Sequence, residues 1–262
     1  MFAQSQYDQD CTTWSPTGRL FQVEYAMRAV DQGTPVLGLR SKEAVVLCTS
    51  MRAQSELASY QKKVMKIDDH MCIGIAGLTA DARVLAEYMR NECLNHTYIY
   101  DSPMNVGRLV AQIGDKSQVK TQNSSGKRPY GVGMLVAGFD EKGPHLYQTS
   151  PDGNYFEYFA MAIGGRSTSA KTYLEKHFEK FADIPLAELI QYSMEAMNRT
   201  TVSKGESLTT KNTSVTIVDK DGYRELPETD LQTYLDKLEK KADDPDATME
   251  DAPTETAPMD TA

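Results

Sequence analysis

The residues that most often do chemistry are sparse in this sequence. Its four histidines stand at positions 70, 96, 145 and 177, and none has the His-x-x-x-His spacing that places two imidazoles on one helix face for a metal ion. Each is therefore interpreted as a surface residue or a hydrogen-bonded structural one. We predict no metal site, no metal catalysis and no other cofactor.

A glycine-rich stretch at residues 164–168 is the nearest approach to a phosphate-binding loop. Its sequence, Gly-Gly-Arg-Ser-Thr, follows a predicted strand and precedes a predicted helix. It lacks the Gly-x4-Gly-Lys-Ser/Thr spacing that lets successive backbone amides surround the phosphates of a nucleotide. A tight turn between strand and helix is the better interpretation, and nucleotide binding is not predicted.

The cysteines and the net charge restrict the function further. The four cysteines form no Cys-x-x-Cys pair, and each lies in or beside an apolar run; they are Cys11, Cys48, Cys72 and Cys93. We predict buried, reduced thiols, which fit a reducing compartment, and no disulfide or structural metal. A net charge of -9 argues against a nucleic-acid partner, because binding a polyanion requires Lys and Arg concentrated on one face.

The amino terminus and the hydropathy give no sign of a membrane. The first residues, MFAQSQYDQD, lack a basic end followed by an apolar stretch, and no apolar run approaches the length that crosses a bilayer. We expect a protein that is neither secreted nor inserted in a membrane.

The elements that would position a site begin with an amphipathic helix. An apolar stripe predicts this helix at residues 19–32, with Gly33 as its carboxy-terminal cap. The stripe consists of Leu20, Val23, Met27 and Val30. Short apolar runs then predict four neighbouring antiparallel strands. These runs lie at residues 35–40, 43–51, 63–68 and 71–77.

Two helices and a second group of strands follow. Thr79 is predicted to cap the first of these helices, with Asp81 in its first turn, and Ser102 to cap the second, with Pro103 in its first turn. Strands are predicted at 131–140, 145–150, 155–165, 214–219 and 223–224, and helices at 169–181, 186–198 and around 231–238. Sheets that face each other and carry helices on their outer faces give a layered α+β sandwich.

The last residues have a different composition. From position 241 to 262 the chain is acidic, interrupted by proline and without large apolar residues except methionine. Such a segment cannot offset the entropy lost on ordering, so we predict a disordered tail. An adaptor that displays this tail as a docking segment is one alternative for the function, and deleting the tail would then abolish partner binding.

Several motifs resemble those of the alpha family of 20S proteasome subunits. Tyr7-Asp8, WSPTGR at 14–19 and QVEYA at 22–26 are similar to the amino-terminal signature of that family. Further matches are AGLTADAR at 76–83, RPYGVG at 128–133 and GPHL at 143–146. Within the eukaryotic ring the chain most resembles the sixth alpha subunit, through RAQSELA at 52–58 and QKK at 61–63.

This resemblance implies a fold and a domain organisation. The family has a four-layer αββα sandwich, the fold of amino-terminal nucleophile hydrolases. Residues 1–33 would form an amino-terminal extension with a gate segment and a helix, residues 34–240 the sandwich, and residues 241–262 the tail.

The same resemblance implies a subunit without catalytic activity. Active beta subunits use an amino-terminal threonine whose free amine is the base, with a lysine and an aspartate nearby. That pattern places Thr34 at the nucleophile and Lys63 at the lysine, but Ser50 stands where the aspartate should be. Self-cleavage between Gly33 and Thr34 is the alternative, and Ser50, Pro35 and the patterned helix before the threonine argue against it.

The family also implies partners and a place in the cell. The chain would join six other alpha subunits in a heptameric outer ring, contact the beta ring and dock activators such as the regulatory-particle ATPases. Its role would be structural and gating, in ubiquitin-dependent protein degradation in the cytoplasm and nucleus.

Two groups of residues match the functional positions of the family. Tyr7, Asp8, Pro16 and Tyr25 match the cluster that fixes the amino-terminal turn when the axial gate opens, although Gln9 replaces the usual arginine. A locally packed turn is the alternative.

Lys63, Gly77 and Leu78 match the pocket that holds the terminal carboxylate of an activator, for which a cation and backbone donors are needed. A solvated Lys62-Lys63 pair is the alternative.

Overall fold

A computed structural model describes residues 7–53, 55–122, 128–201 and 207–242. Most of the predicted tail therefore lies outside the described residues, although the last helix extends through Ala242, two residues into that segment. None of the helices in the described ranges combines the length and the apolar character that a membrane span requires.

The described residues form ten strands and six helices. The strands are β1 (Val36–Arg40), β2 (Ala44–Ser50), β3 (Val64–Asp68), β4 (Met71–Gly77), β5 (Val132–Asp140), β6 (Gly143–Thr149), β7 (Tyr155–Glu157), β8 (Ala160–Ile163), β9 (Thr213–Asp219) and β10 (Gly222–Glu225). The helices are α1 (Phe21–Asp31), α2 (Thr79–Tyr100), α3 (Val106–Gln122), α4 (Ser167–Phe181), α5 (Leu186–Thr201) and α6 (Glu228–Ala242).

The strands divide between two five-stranded sheets. The first sheet has the order β10-β9-β2-β1-β8 and the second the order β3-β4-β5-β6-β7, with antiparallel neighbours throughout. The prediction that the first four strands are all neighbours is therefore wrong. Each hairpin is local and readable from the sequence, but β1 and β2 belong to one sheet and β3 and β4 to the other.

The prediction of a single strand at residues 155–165 is wrong for the same reason. In this stretch β7 pairs with β6 in the second sheet, and β8 pairs with β1 in the first. The chain crosses between the sheets at Tyr158 and Phe159. There the amide of Tyr158 donates to the carbonyl of Leu146 (2.8 Å), and the amide of Arg40 donates to the carbonyl of Phe159 (2.8 Å).

Three apolar clusters separate four layers, which confirms the predicted αββα sandwich. One cluster lies between the first sheet and α4, α5 and α6, and a second lies between the second sheet and α2 and α3. The third fills the space between the two sheets, where Val45 and Leu47 of β2 pack with Cys72 and Ala76 of β4.

Two predicted helix caps are wrong. Leu78 precedes α2 and makes no side-chain capping bond, whereas the Thr79 hydroxyl accepts a bond from the side chain of Gln61 (3.3 Å). The helix α3 begins after Asn105, whose side-chain oxygen accepts the amide of Arg108 at 3.3 Å. Asn105 thus takes the capping position predicted for Ser102, because its side-chain oxygen is the one that accepts an amide of the first turn.

The prediction that the cysteines are buried is confirmed. All four cysteine side chains are buried. Burial raises the pKa of the Cys48 thiol to about 12, so this thiol stays protonated at neutral pH.

Candidate functional site

The segment around Thr34 joins α1 to β1 and is bonded into the sandwich on both sides. The carbonyl of Gly33 accepts the amide of Gly165 (2.7 Å), and the carbonyl of Pro35 accepts the amide of Ser50 (3.1 Å). Gly33 also packs so closely on β4 that a Cβ at this position would lie 2.4 Å from the amide nitrogen of Gly77. The residues before Thr34 are therefore part of the packed structure.

A cavity of about 360 Å³ opens beside Thr34. Its walls come from the end of α1, the start of β1, the end of β2, the turn before α4, the end of α5 and the loop before β9. They include Thr34, Ser50, Arg52 and Arg166. The Thr34 hydroxyl oxygen is buried and has no hydrogen-bond partner among the described residues.

The structure brings Thr34 and Ser50 together but not Lys63. Lys63 does not line the cavity beside Thr34, and it precedes β3 in the second sheet, whereas β1 belongs to the first. The assignment of Lys63 to the lysine of a catalytic set stays a prediction.

Lys63 has an unusual environment for a lysine. Its residue exposure is 6%, and burial lowers the pKa of its ammonium group. Within the described ranges no carboxylate or other acceptor binds that group. The neighbouring Lys62 is different, because its side chain is 74% exposed and pairs with Glu225 at 3.2 Å. The two lysines are thus not a solvated pair.

Of the backbone amides of Gly77 and Leu78, only the Gly77 amide is available to bind a carboxylate beside Lys63. The amide of Leu78 already donates to the carbonyl of Gly131 (2.9 Å). Since successive amides of an antiparallel strand point to opposite sides, the Gly77 amide points to the side where Ile75 donates to the carbonyl of Lys63 (3.1 Å). No backbone acceptor for the Gly77 amide exists among the described residues.

An ion pair that the sequence did not predict holds this corner in place. The carboxylate of Asp81 accepts two bonds from the Arg128 guanidinium (2.6 and 2.8 Å) and one from the amide of Gly131 (2.9 Å). The Arg128 bonds lower the pKa of Asp81, and the Gly131 amide adds to the effect. The sequence suggested only an interaction of Asp81 with the helix dipole, because nothing local connects it to a residue 47 positions away.

The predicted gate residues lie at the amino-terminal turn. The Tyr25 hydroxyl donates to the carboxylate of Asp8 (3.2 Å), and the side chain of Gln22 donates to the backbone carbonyl of Asp8. Pro16 lies in a turn closed by the amide of Gly18, which donates to the carbonyl of Ser15 at 2.9 Å.

The structure thus joins Asp8 to Tyr25, whereas Pro16 is exposed at its turn and Tyr7 is half-buried beside Asp8. Gln9 is exposed to solvent.

Comparison with known proteins gives a consistent result over most of the chain. A family model described as "Proteasome subunit" matches residues 30–218, and a second model, described as the N-terminal signature of the A type of these subunits, matches residues 7–29. The chain is 51% identical to the protein named proteasome subunit alpha type-1 of Dictyostelium discoideum, over 90% of this chain and 96% of that protein.

Two further relatives agree. The probable proteasome subunit alpha type-6 of Schizosaccharomyces pombe is 47% identical, over 90% of this chain and 87% of that protein. The alpha type-1 subunit of Drosophila melanogaster is 49% identical, over 83% of this chain and 78% of that protein.

Proposed function

This chain belongs to the proteasome subunit family, in its alpha class, and from that premise we propose that it is a non-catalytic structural and gating subunit of the 20S core particle. It joins six other alpha subunits in the heptameric outer ring, contacts the beta ring and controls substrate entry. In the cytoplasm and nucleus it serves ubiquitin-dependent protein degradation. The position of Thr34 inside a packed peptide segment carries this proposal.

The surroundings of Thr34 support the absence of catalysis. A threonine nucleophile of this kind needs its own free amine as the base, and the nitrogen of Thr34 is part of the peptide bond to Gly33. Ser50 replaces the aspartate that would orient a lysine, and Lys63 is not among the residues that line the cavity beside Thr34. The Thr34 hydroxyl therefore lacks both the free amine and the aspartate that this chemistry requires.

Native mass spectrometry of the purified particle tests this proposal. We expect a full-length chain of 29.2 kDa, with the residues before Thr34 retained, in an assembly with six other alpha subunits. An electrophilic peptide that labels the active beta subunits should leave Thr34 unlabelled. A chain that begins at Thr34, or a native protein of monomer mass, would contradict the proposal.

The contact between Asp8 and Tyr25 supports a gating role for the amino-terminal turn. It joins the segment before the turn to α1, and α1 is anchored in turn by Val30, which packs between the sheets. Tyr7 and Pro16 flank this contact along the chain. We propose that the four residues together hold the turn in the conformation of the open gate.

Replacing Tyr25 with phenylalanine should weaken this open state. The change removes the hydroxyl bonded to Asp8, a contribution of about 1 kcal/mol, and retains the ring. We expect the variant particle to hydrolyse peptides about fivefold more slowly when an activator is present and at an unchanged rate when its gate is closed. Tyr98→Phe is the matched control, because Tyr98 is 92% exposed on α2. An equal effect of both changes would contradict the proposal.

The environment of Lys63 supports an activator-binding pocket. A buried ammonium group without an acceptor and a Gly77 amide on the same side of β4 are complementary to a terminal carboxylate. The uncapped amino terminus of α2 follows directly at Thr79 and favours a negative charge. Leu78 contributes to the proposed pocket through its side chain, since its amide is already bonded to the carbonyl of Gly131.

Replacing Lys63 with methionine should have opposite effects on binding and on stability. We expect a peptide with the carboxy-terminal sequence of an activator to bind the particle about tenfold more weakly, because a charge-assisted contact is lost. The free energy of unfolding should rise, since burial disfavours the charged lysine. The gain should shrink as the pH rises through the lowered pKa of Lys63. Peptide titration and chemical denaturation measure the two effects.

Lys62→Met is the matched control, with the same change of charge at an exposed position. It should leave both peptide affinity and stability nearly unchanged. A similar loss of peptide affinity in both variants would assign the effect to general electrostatics.

A further inference from the structure

We propose that the cavity beside Thr34 binds a small molecule that carries a phosphate monoester. The proposal concerns this chain alone and does not depend on its role in a ring. Its starting point is the cavity of about 360 Å³, which is large enough for a compact metabolite. In a catalytic subunit this cavity would hold the substrate at the active threonine. A subunit without that activity can bind a different ligand there.

Two arginines give the cavity its affinity for an oxyanion. Arg52 and Arg166 enter it from the segment after β2 and the turn before α4. One nitrogen of the Arg166 guanidinium donates to the carbonyl of Thr200 (3.3 Å), which holds the group at the wall and leaves other donors available. Arg52 forms no ion pair within the described ranges. Planar guanidinium groups match the geometry of phosphate oxygens.

The amino terminus of α4 adds to this positive potential. Arg166 precedes the 15-residue helix and makes no capping bond to it, and the first turn contains no acidic residue. Gly164 and Arg166 both have positive φ, at 91° and 58°. In this turn the amides of Gly165 and Ser167 already donate to the carbonyls of Gly33 (2.7 Å) and Gly164 (3.3 Å), so the amides of Arg166 and Thr168 are the donors left for an anion.

A buried hydroxyl points independently to a ligand in this cavity. Thr34 lines the cavity, and its buried hydroxyl oxygen has no hydrogen-bond partner in the described part of the chain. Buried polar atoms in native proteins almost always have a partner. Rotation about the side-chain bond lets this hydroxyl face a ligand oxygen.

The balance of charge favours an anion over a cation. Asp31 is the acidic residue of the lining, and it is exposed at the end of α1, whereas two arginines face the cavity. Ser50 stands where a catalytic site of this family would place a carboxylate, so the inner wall carries no negative charge that would repel phosphate.

Nuclear magnetic resonance of the full chain tests this proposal residue by residue. Inorganic phosphate and glucose 6-phosphate should cause saturable shifts of the backbone amides of Arg166 and Thr168, whereas glucose should cause none. The sugar phosphate should bind more tightly because it fills more of the cavity. A phosphoserine peptide should bind more weakly than the sugar phosphate, and tighter binding of the peptide would overturn the assignment to a small molecule.

Three variants and one control distinguish a specific phosphate site from nonspecific electrostatic attraction. Arg52→Gln and Arg166→Asn should each weaken phosphate binding about tenfold, and Thr34→Val about fivefold. Asparagine is chosen because it tolerates the positive φ of Arg166. Arg83→Gln, at an exposed position on α2, should leave the affinity unchanged.

The proposal is overturned if phosphate causes no saturable shift, if the arginine variants bind like the original protein, or if Arg83→Gln loses as much. Should Arg166→Asn fail to fold, Arg52→Gln decides the question, because Arg52 is exposed and its replacement disturbs no packing.

Discussion

Alanine in place of Gly77 is expected to lower the free energy of unfolding by about 3–5 kcal/mol. Gly77 has a φ of 110°, which side chains with a Cβ rarely adopt, and a Cβ here would lie 2.3 Å from the carbonyl oxygen of Gly131. That neighbour is backbone in a central pair of strands and cannot move aside cheaply. Chemical denaturation of the full chain measures the loss.

The Gly143→Ala variant separates the cost of the backbone conformation from the cost of the steric contact with Gly131. Gly143 has a nearly identical φ of 111°, but nothing lies within 4 Å of its missing Cβ. The free energy of unfolding of the Gly143→Ala variant should fall by about 1–2 kcal/mol, which is the cost of the backbone conformation alone. Equal losses at both positions would mean that the contact with Gly131 carries no energy, which would contradict the packing described for this corner.

The surroundings of Gly77 explain why this position requires a glycine. Gly33 packs against its nitrogen from one side, and Gly131 approaches from the other. The end of α1, the end of β4 and the start of α2 thus meet at one point. A side chain on Gly77 would press against Gly131 and Val132 and displace the residues proposed to bind an activator.

Local patterns in the sequence predicted most of the elements but not their arrangement. The stripe of Val23 and Val30 identified α1, because burial of one helix face leaves a period in the sequence. The division of β1–β2 and β3–β4 between two sheets left no such trace. Both hairpins have one face towards the same inter-sheet core, so their patterns are alike.

The candidate site was likewise predicted only in part, because the sequence does not record contacts between distant segments. The family resemblance assigned Thr34 and Ser50 to one site, and the structure places both on one cavity. The burial of Lys63 beside the exposed Lys62 depends on the second sheet and α2, which no local pattern records. The pairing of Asp81 with Arg128 likewise depends on contacts between distant segments, and it is open to a direct test.

Asp81→Asn should lower the free energy of unfolding by about 2–3 kcal/mol at neutral pH, because charge-assisted bonds to a nearly buried carboxylate are lost. The Arg128 side chain is 59% exposed and can be hydrated again, which keeps the loss below that of a fully buried pair. The amide of Gly131 also loses its charged acceptor. Denaturation of the two proteins in parallel gives the difference.

That difference should depend on pH in one direction. The pKa of Asp81 in the folded chain lies below its ordinary value of 3.8, so its stabilising effect is complete above that value and declines as the pH falls through the folded pKa. The original protein and the asparagine variant should therefore become equally stable in strong acid. Asp69→Asn is the control, since Asp69 is exposed and pairs with the half-exposed Lys66. It should change stability little at any pH, and a difference for Asp81 that persisted in acid would place its effect in packing and not in charge.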